Sequence, residues 1–259
     1  MIDLSVVVIT LNEQNRLGRC LSSLPPGVEI NVLDSGSVDG TLEVAKGFGA
    51  KTETRPFDNY ASQKNAALAM ATRPWTLSLD ADEVLTPELA RELAEFVSSG
   101  EAKVAAGRGE AFRLKRRLCF MGRTMRFGKT ADNPVRLFPT GSGKFQFDIH
   151  ERFQPRDGTV GLARFAHGSF IVHHSYEDLS DYFDKFNRYT SRMAGIRANK
   201  RPGATLFTAH VLRPFAEFIS RYFLRLGFLD GYPGYCYALL SSLYAFVKYA
   251  KAFEQKKIA

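Results

Sequence analysis

The chain has 259 residues, 45% hydrophobic and 24% charged, ordinary proportions for a globular protein with room for one α/β domain and an appendage. Its net charge of +8 is unevenly spread, because acid outweighs base in the first hundred residues and Lys and Arg concentrate afterwards. That asymmetry argues against nucleic acid and for a local anionic partner, such as a phosphorylated acceptor or an anionic membrane surface. Cys20, Cys119 and Cys236 are far apart and lack metal-ligand spacing, which indicates free thiols in a reducing compartment. The start, Met1-Ile2-Asp3-Leu4-Ser5-Val6, has no basic leader and reads as the approach to a strand, which implies the cytoplasm.

Taken in order, a continuous apolar run predicts a strand over residues 5–10, and a polar turn from Asn12 leads into a helix over 16–23. Pro25-Pro26-Gly27 breaks the chain before a second strand at 29–33. The turn Asp34-Ser35-Gly36-Ser37-Val38-Asp39-Gly40-Thr41 opens a helix that Gly49 would cap. Its spacing matches neither a dinucleotide fingerprint nor a P-loop. Asp34 and Asp39 can be turn and cap residues, or can face a ligand. A short strand over 51–54 and a helix over 61–71 follow. The β-α-β-α-β-α-β order implies a parallel sheet with crossover helices and a ligand site at the strand ends.

The next strand, through Trp75, Thr76, Leu77 and Leu79, ends in Asp80-Ala81-Asp82-Glu83. Three carboxylates in four residues are costly to bury unless a cation compensates them, and a divalent metal at a strand end would do so. The plain alternative is a solvated turn ahead of a helix that starts near Thr86-Pro87-Glu88.

Between residues 100 and 129 basic residues, among them Arg113, Arg116, Arg117 and Arg126, alternate with apolar ones. The stretch is either a solubilising face or an acceptor-binding lobe for phosphate, which arginine forks suit. Asn133-Pro134-Val135-Arg136-Leu137 reads as a strand leaving a turn. A short alternating strand then runs towards His150-Glu151, where an isolated Glu would ordinarily pair with a surface arginine. His173 and His174 end a β-branched run, a place where histidines are usually satisfied turn residues. Beyond Glu177 the periodicity is helical, with one helix ending before Lys200, an amphipathic set from Leu206 to Leu226, a breaker-rich turn over 227–234 and a last helix over 235–253. Its apolar run is too short to span a bilayer, which takes ~20 residues. The pair suits either an in-plane membrane contact or packing on the catalytic domain.

Four stretches in this order resemble the family 2 glycosyltransferases of GT-A fold: Val7-Val8-Ile9-Thr10-Leu11-Asn12-Glu13, Leu33-Asp34-Ser35-Gly36-Ser37-Val38-Asp39-Gly40-Thr41, Gln63-Lys64-Asn65-Ala66-Ala67-Leu68 and Leu79-Asp80-Ala81-Asp82-Glu83. The C-terminal half narrows the likeness. His173-His174-Ser175-Tyr176, the turn from Arg225 to Gly234 and Phe246-Val247-Lys248-Tyr249-Ala250-Lys251 resemble the bacterial lipopolysaccharide core β-1,4-glucosyltransferases.

The resemblance implies a Rossmann-like, mixed α/β sheet with crossover helices and a C-terminal amphipathic helical appendage. Residues 1–175 would be the catalytic domain, divided at 99 into nucleotide-sugar and acceptor halves, and 176–259 a membrane-associating helical region. It implies a UDP-sugar donor held by Thr10, Asn12, Glu13, Asp34, Lys64 and Asp80, and a Mg²⁺ or Mn²⁺ ion on Asp82 and His173 rather than His174. Glu151 would be the general base, and Arg113, Arg116, Arg117 and Arg126 would face the acceptor. The implied reaction moves glucose from UDP-glucose onto an inner-core heptose at the cytoplasmic face of the inner membrane, where the enzyme would be peripheral. The same chemistry on a polyisoprenyl phosphate or another polysaccharide acceptor, or a non-catalytic nucleotide-sugar-binding protein, are the alternatives. One departure stands out: many relatives carry two adjacent aspartates where this chain has Asp34-Ser35.

Overall fold

The computed structural model describes residues 2–146, 151–198, 210 and 212–258. The helix end predicted at 199–200, Leu206, and the strand residues 147–150 with His150 lie outside them. The chain forms two compact units, Met1–Arg116 with Asp132–His173, and Arg117–Ala131 with His174–Ala259.

In the first unit β1 (Leu4–Thr10), α1 (Gln14–Ser22), β2 (Glu29–Asp34), α2 (Thr41–Gly47), β3 (Lys51–Thr54), α3 (Tyr60–Leu68) and β4 (Trp75–Asp80) follow one another as the sequence implies. Then come β5 (Glu83–Leu85), α4 (Pro87–Val97), α5 (Gly100–Gly107) and β6 (Ala111–Arg113); β7 (Arg116–Phe120), β8 (Arg123–Thr124) and β9 (Ala131–Asp132), which fall almost wholly in the second unit, separate these from β10 (Val135–Pro139). The hairpin of β11 (Gly143–Gln146) and β12 (Arg152–Pro155) precedes β13 (Val160–Leu162) and β14 (Ile171–His173).

A seven-stranded mixed sheet has the order β13-β6-β10-β4-β1-β2-β3. Strands β4, β1, β2 and β3 are mutually parallel, and β10 runs antiparallel to both β4 and β6. β1 and β4 are buried almost throughout, as central parallel strands covered on both faces must be. Alternation divides their side chains: Val6 and Val8 face Leu17, Leu21, Leu89 and Leu93, whereas Val7 and Leu33 face Ala67 and Met70. This is the mixed α/β sheet with crossover helices that the sequence implies.

Local boundaries differ where hydrogen bonding overrides pattern. α3 starts at Tyr60 because the Asn59 side chain caps it, and it stops at Leu68 instead of 71. Glu83 leaves the acidic turn and opens β5, which pairs antiparallel with β14 so that Glu83 lies opposite His173.

At the far end of the sheet the Glu29 carboxylate accepts from Ser5 Oγ, from Thr72 N at 2.9 Å and from Thr72 Oγ1 at 2.6 Å. Burial alone would raise its pKa, but hydrogen bonds from Ser5 and Thr72 outweigh it and hold the carboxyl down to about 2. A folded pKa below the unfolded one adds stability above the unfolded value, and that stability drains as pH falls towards the folded value. Glu29→Gln is therefore expected to lower the melting temperature at pH 7 and to flatten its decline between pH 4.5 and about 2, as read by thermal scans. Parallel curves for the two proteins would rule this out.

In the second unit, β7 and β8 form a hairpin turned by Met121 and Gly122, with φ of 50° and 73°. Two successive positive φ angles give the primed turn that matches strand twist. Leu118, Phe120 and Met125 pack with Tyr182 of α6 (Leu179–Ala198). α7 (Arg213–Ile219) runs into a π-helical turn, Ser220–Leu224, and α8 is Gly231–Ile258. The breaker-rich stretch is thus only half a turn, since α8 absorbs its last four residues. Pro233 fits because a first-turn N–H has no helical partner to lose. Gly234 is required, since a Cβ there would run into the carbonyl oxygen of Gly227. Asp230, fully buried, accepts from the N–H groups of Arg126 (3.0 Å) and Phe127 (2.9 Å). Lys251 fastens α8 to α6 through Asn187 Oδ1 at 2.6 Å and Thr190 Oγ1 at 2.9 Å. Among the described residues no helix is long and apolar enough to cross a membrane.

Candidate active site

Parallel pairing of β1 with β2 and β4 sets Thr10 beside Asp34 and Ile9 beside Asp80, which gathers the motif residues at the carboxyl ends of three strands. The two loops beyond β1 and β2 are laced together. Asp34 accepts from Thr10 Oγ1 (3.0 Å), Gly36 N (2.8 Å) and Ser37 N (2.7 Å). Burial would raise its pKa, but these donors hold the carboxylate below its ordinary range. Asn12, in the left-handed region with φ 55°, donates N–H to Ser37 Oγ (2.8 Å) and accepts from Val38 N (2.9 Å). Glu13 donates its N–H to Thr41 Oγ1 (2.8 Å), while its carboxylate pairs with Arg16 at 3.3 Å. Asp39 accepts from the N–H groups of Thr41 (3.1 Å) and Gln14 (3.3 Å). Asp34 and Asp39 thus do the turn work that the sequence allowed them, and Asp34 engages both oxygens inside its own loop.

Three consecutive residues of α3 are fastened in three directions. Gln63 donates to Ser35 Oγ at 3.0 Å and accepts from Arg55 at 2.7 Å. Asn65 clamps the Phe145 backbone, donating to its carbonyl at 2.9 Å and accepting its N–H at 2.8 Å. Lys64, 4% exposed, lies between them with Nζ 2.8 Å from Asp80 and 2.9 Å from Glu151.

From Lys64 an alternating chain of charge runs inward. Arg136 Nη2 reaches Asp80 Oδ2 and Glu83 Oε1, both at 2.5 Å. Glu83, with no exposed surface, also receives Arg116 at 2.7 Å, and Arg116 closes on Asp132 at 2.6 Å. Burial would raise the Asp80 pKa, yet Arg136 and Lys64 drive it well below the carboxylate range. Against the same burial, Asp80 and Glu83 hold the Arg136 guanidinium charged.

Arg136 was not legible as a site residue, although its position in the otherwise apolar Val135-Arg136-Leu137-Phe138 signals a buried cation in need of a carboxylate. Arg116, expected to face the acceptor, is paired here with the fully buried Glu83 and with Asp132. Arg113 donates to Asn133 O at 3.2 Å. Arg117 and Arg126 belong to the second unit, with Arg117 buried.

Asp82 turns away from this chain. Its Oδ2 lies 3.3 Å from His173 Nε2, and its Oδ1 is buried with no hydrogen-bond partner among the described residues. A buried, unmatched carboxylate oxygen beside an imidazole nitrogen is a donor set that suits a divalent cation. Among the described residues no three His, Cys, Asp or Glu side chains converge at metal distance. Behind the site Cys20 donates to Asp80 O at 3.8 Å. Burial, reinforced by Glu83, Asp82 and Asp80, pushes its thiol up, so it is no nucleophile.

The profile of Glycosyl transferase family 2 matches residues 5–165. The lipopolysaccharide core biosynthesis glycosyltransferase LpsC of Rhizobium meliloti is 30% identical over 97% of this chain and 92% of its own length. An uncharacterized glycosyltransferase of Rickettsia typhi is 25% identical over 97% of this chain and 87% of its own. Among solved structures, S. aureus TarS aligns with 98% of this chain and 54% of its own at 15% identity and a TM-score of 0.49.

Proposed function

The chain belongs to glycosyl transferase family 2, and on that premise we propose that it is an inverting, divalent-cation-dependent enzyme that moves a hexose, glucose first among them, from a UDP-sugar onto a heptose of the lipopolysaccharide inner core. The observation that carries this reading is the contact line from Glu151 through Lys64 to Asp80, at 2.9 Å and 2.8 Å, with Asp82, two residues beyond Asp80, at 3.3 Å from His173. It sets a proton acceptor, a phosphate-seeking cation and a candidate metal ligand side by side. The acceptor class follows the relative in Rhizobium meliloti, whose name assigns it to lipopolysaccharide core biosynthesis.

In this reading the laced loops carrying Thr10, Asn12 and Glu13 receive uracil and ribose, Asp34 holds their shape, and Asp80 takes the ribose hydroxyls. Glu151 removes the acceptor hydroxyl's proton as that oxygen attacks C1, the C1–phosphate oxygen bond breaks, and UDP leaves from the opposite face. Inversion of an α-linked donor gives a β-linkage. Lys64 orients the Glu151 carboxylate and can turn to the diphosphate. A divalent cation bound on Asp82 and His173 would neutralise charge on the UDP leaving group. The exposed apolar residues of α8, Leu239, Leu243, Phe246 and Phe253, support a peripheral position on the inner face of the bacterial inner membrane.

The decisive assay is UDP release from a panel of UDP-sugars with Mn²⁺, Mg²⁺ or EDTA and truncated lipopolysaccharide as acceptor. Metal-dependent, acceptor-stimulated turnover with one donor is expected. Donor binding without stimulation by this acceptor would transfer the reading to a polyisoprenyl phosphate or another glycan, and no binding of any UDP-sugar would sink it. Asp82→Asn is expected to weaken Mn²⁺ binding in the presence of UDP by at least ~10-fold, measured by titration calorimetry. An unchanged Mn²⁺ isotherm would remove Asp82 from the shell.

A further inference from the structure

Most of the large apolar side chains that stand in water belong to the second unit, and they are densest in one short stretch of it. Between the π-helical turn Ser220–Leu224 and the start of α8 the chain folds back through a 3-10 turn, Gly227–Asp230. Along this elbow Phe223, Leu224, Leu226, Phe228, Leu229 and Tyr232 are all exposed, Leu224 to 76% and Tyr232 to 69%. The exposure continues along one face of α8 through Tyr235, Leu239, Leu243 and Phe246, at spacings of three and four. No Asp, Glu, Lys or Arg occurs from Gly231 to Val247. An apolar surface this continuous is rare on a protein that stays alone in water, and a polar rim around one marks an interface.

Looseness does not account for the exposure, because the elbow is fastened from beneath. Leu226 sits in the left-handed region with φ 57°, an uncommon place for a branched side chain. The carbonyl of Arg225 accepts from Gly128 N at 2.9 Å, and Arg221 donates to the Gly128 carbonyl at 3.1 Å. Gly227 is buried so close to this layer that a Cβ would lie 2.6 Å from the Arg221 carbonyl oxygen. Buried Asp230 holds the N–H groups of Arg126 and Phe127. Polar groups of the elbow therefore point inward and its apolar side chains outward, the reverse of an ordinary surface turn. Strained backbone of this kind persists only where the surroundings over-determine it, and it gathers at functional segments. The rings of Phe218, Tyr222, Phe223, Phe228 and Tyr235 form one connected cluster here, with centres 5.1 to 6.3 Å apart.

Charge names the partner. The second unit has 17 Lys and Arg against seven Asp and Glu, a net of +10, whereas the first unit is at −2. Exposed Arg123, Arg126, Lys129 and Arg225 rim the elbow. Arg123 donates to the Leu229 carbonyl at 3.4 Å, and the Lys129 carbonyl accepts from Arg221 at 3.4 Å. A second copy pressed onto this face would set +10 against +10, whereas an anionic lipid surface has the opposite sign. We propose, resting on the peripheral position inferred above, that the elbow is the segment that enters an anionic bilayer. Leu224 and Leu229 reach towards the acyl chains, Tyr232 and Tyr235 stay at headgroup level, and α8 lies in the membrane plane.

The test is co-sedimentation of the full chain with vesicles of phosphatidylethanolamine and phosphatidylglycerol, and with vesicles of phosphatidylcholine. Wild type is expected to prefer the anionic vesicles, and added salt to narrow the difference. Leu224→Ser/Leu229→Ser should weaken binding to them at least ~100-fold, about tenfold for each large side chain no longer withdrawn from water. Lys129→Gln/Arg225→Gln should abolish the preference and keep the weaker binding to phosphatidylcholine. Equal binding by the leucine variant and wild type would overturn the elbow while leaving the peripheral position standing. Failure of wild type to bind any vesicle would end both. A dimer in sedimentation velocity that the leucine substitutions dissolve, in place of vesicle binding, would give the face to a second copy and overturn the proposal. All four side chains lie at the surface, so the melting temperature is expected to stay at the wild-type value. Basal UDP-sugar hydrolysis reads the donor site separately, and both variants are expected to leave it unchanged.

Discussion

Arg136→Met is expected to destabilise the protein by about 3–5 kcal/mol, the usual cost of removing one partner from a buried ion pair. Methionine roughly preserves the stem volume but leaves Glu83, with no exposed surface, and Asp80 short of a cation held at 2.5 Å. Arg116 and Lys64 remain, so the loss falls short of full exposure of two charges. For a chain of this size each kcal/mol moves the melting temperature by roughly 2–4 °C, which makes a drop on the order of 10 °C the number to look for. Glu83→Gln added to Arg136→Met should cost less than the two single changes summed, because the second removes the charge the first has stranded. A melting point within about 2 °C of wild type would mean that the pairs carry no net stability, as exposed ion pairs commonly do.

Glu151→Gln is expected to lower kcat by roughly 10²–10⁴-fold, the range for loss of a positioned general base. The amide oxygen is isosteric and can still accept from Lys64, so the melting temperature and UDP-sugar affinity should stay near wild type. Glu151→Asp, a methylene shorter, should retain part of the activity with the same pH dependence of binding. Lys64→Met separates the roles: it is expected to weaken UDP-sugar binding as well as turnover, whereas Glu151→Gln affects turnover alone. Transfer close to wild type in a folded Glu151→Gln protein would show that another group takes the proton.

The first hundred residues were legible because their signals are local. A short continuous apolar run bounded by turn residues suits a covered parallel strand, and Gly49 adopts the left-handed φ of 69° that a helix C-terminus needs. What escaped the sequence were partnerships across long separations. Arg136 lies 56 positions from Asp80 and 53 from Glu83, and nothing in a pattern of period two reveals which carboxylate a strand arginine will meet. Arg116 reads as one of a basic cluster because its partners, Glu83 and Asp132, lie 33 and 16 positions away. The Gln63-Lys64-Asn65 run was recognisable as a motif, yet its division into three anchors, to Ser35, to Asp80 with Glu151, and to the Phe145 backbone, is visible only in three dimensions. The C-terminal helices show the opposite failure. Their periodicity was plain, but periodicity says which residues share a face and not whether that face is covered, so the pattern left open which apolar side chains stand in solvent.

The position of β10 has a consequence for how the molecule comes into being. It is inserted between β4 and β6, and it brings Arg136 to carboxylates made more than fifty residues earlier. On a ribosome, which delivers the N-terminal part first, strands β1 to β4 can collapse as soon as they emerge with Lys64 beside Asp80, but Glu83 must stay hydrated until Arg116 and Arg136 have been synthesised. Residues 1–99 are therefore not a self-sufficient half. The acidic strand end becomes a preorganised electrostatic centre only once β10 has docked, so the order of synthesis delays assembly of the site until its arginine countercharges exist.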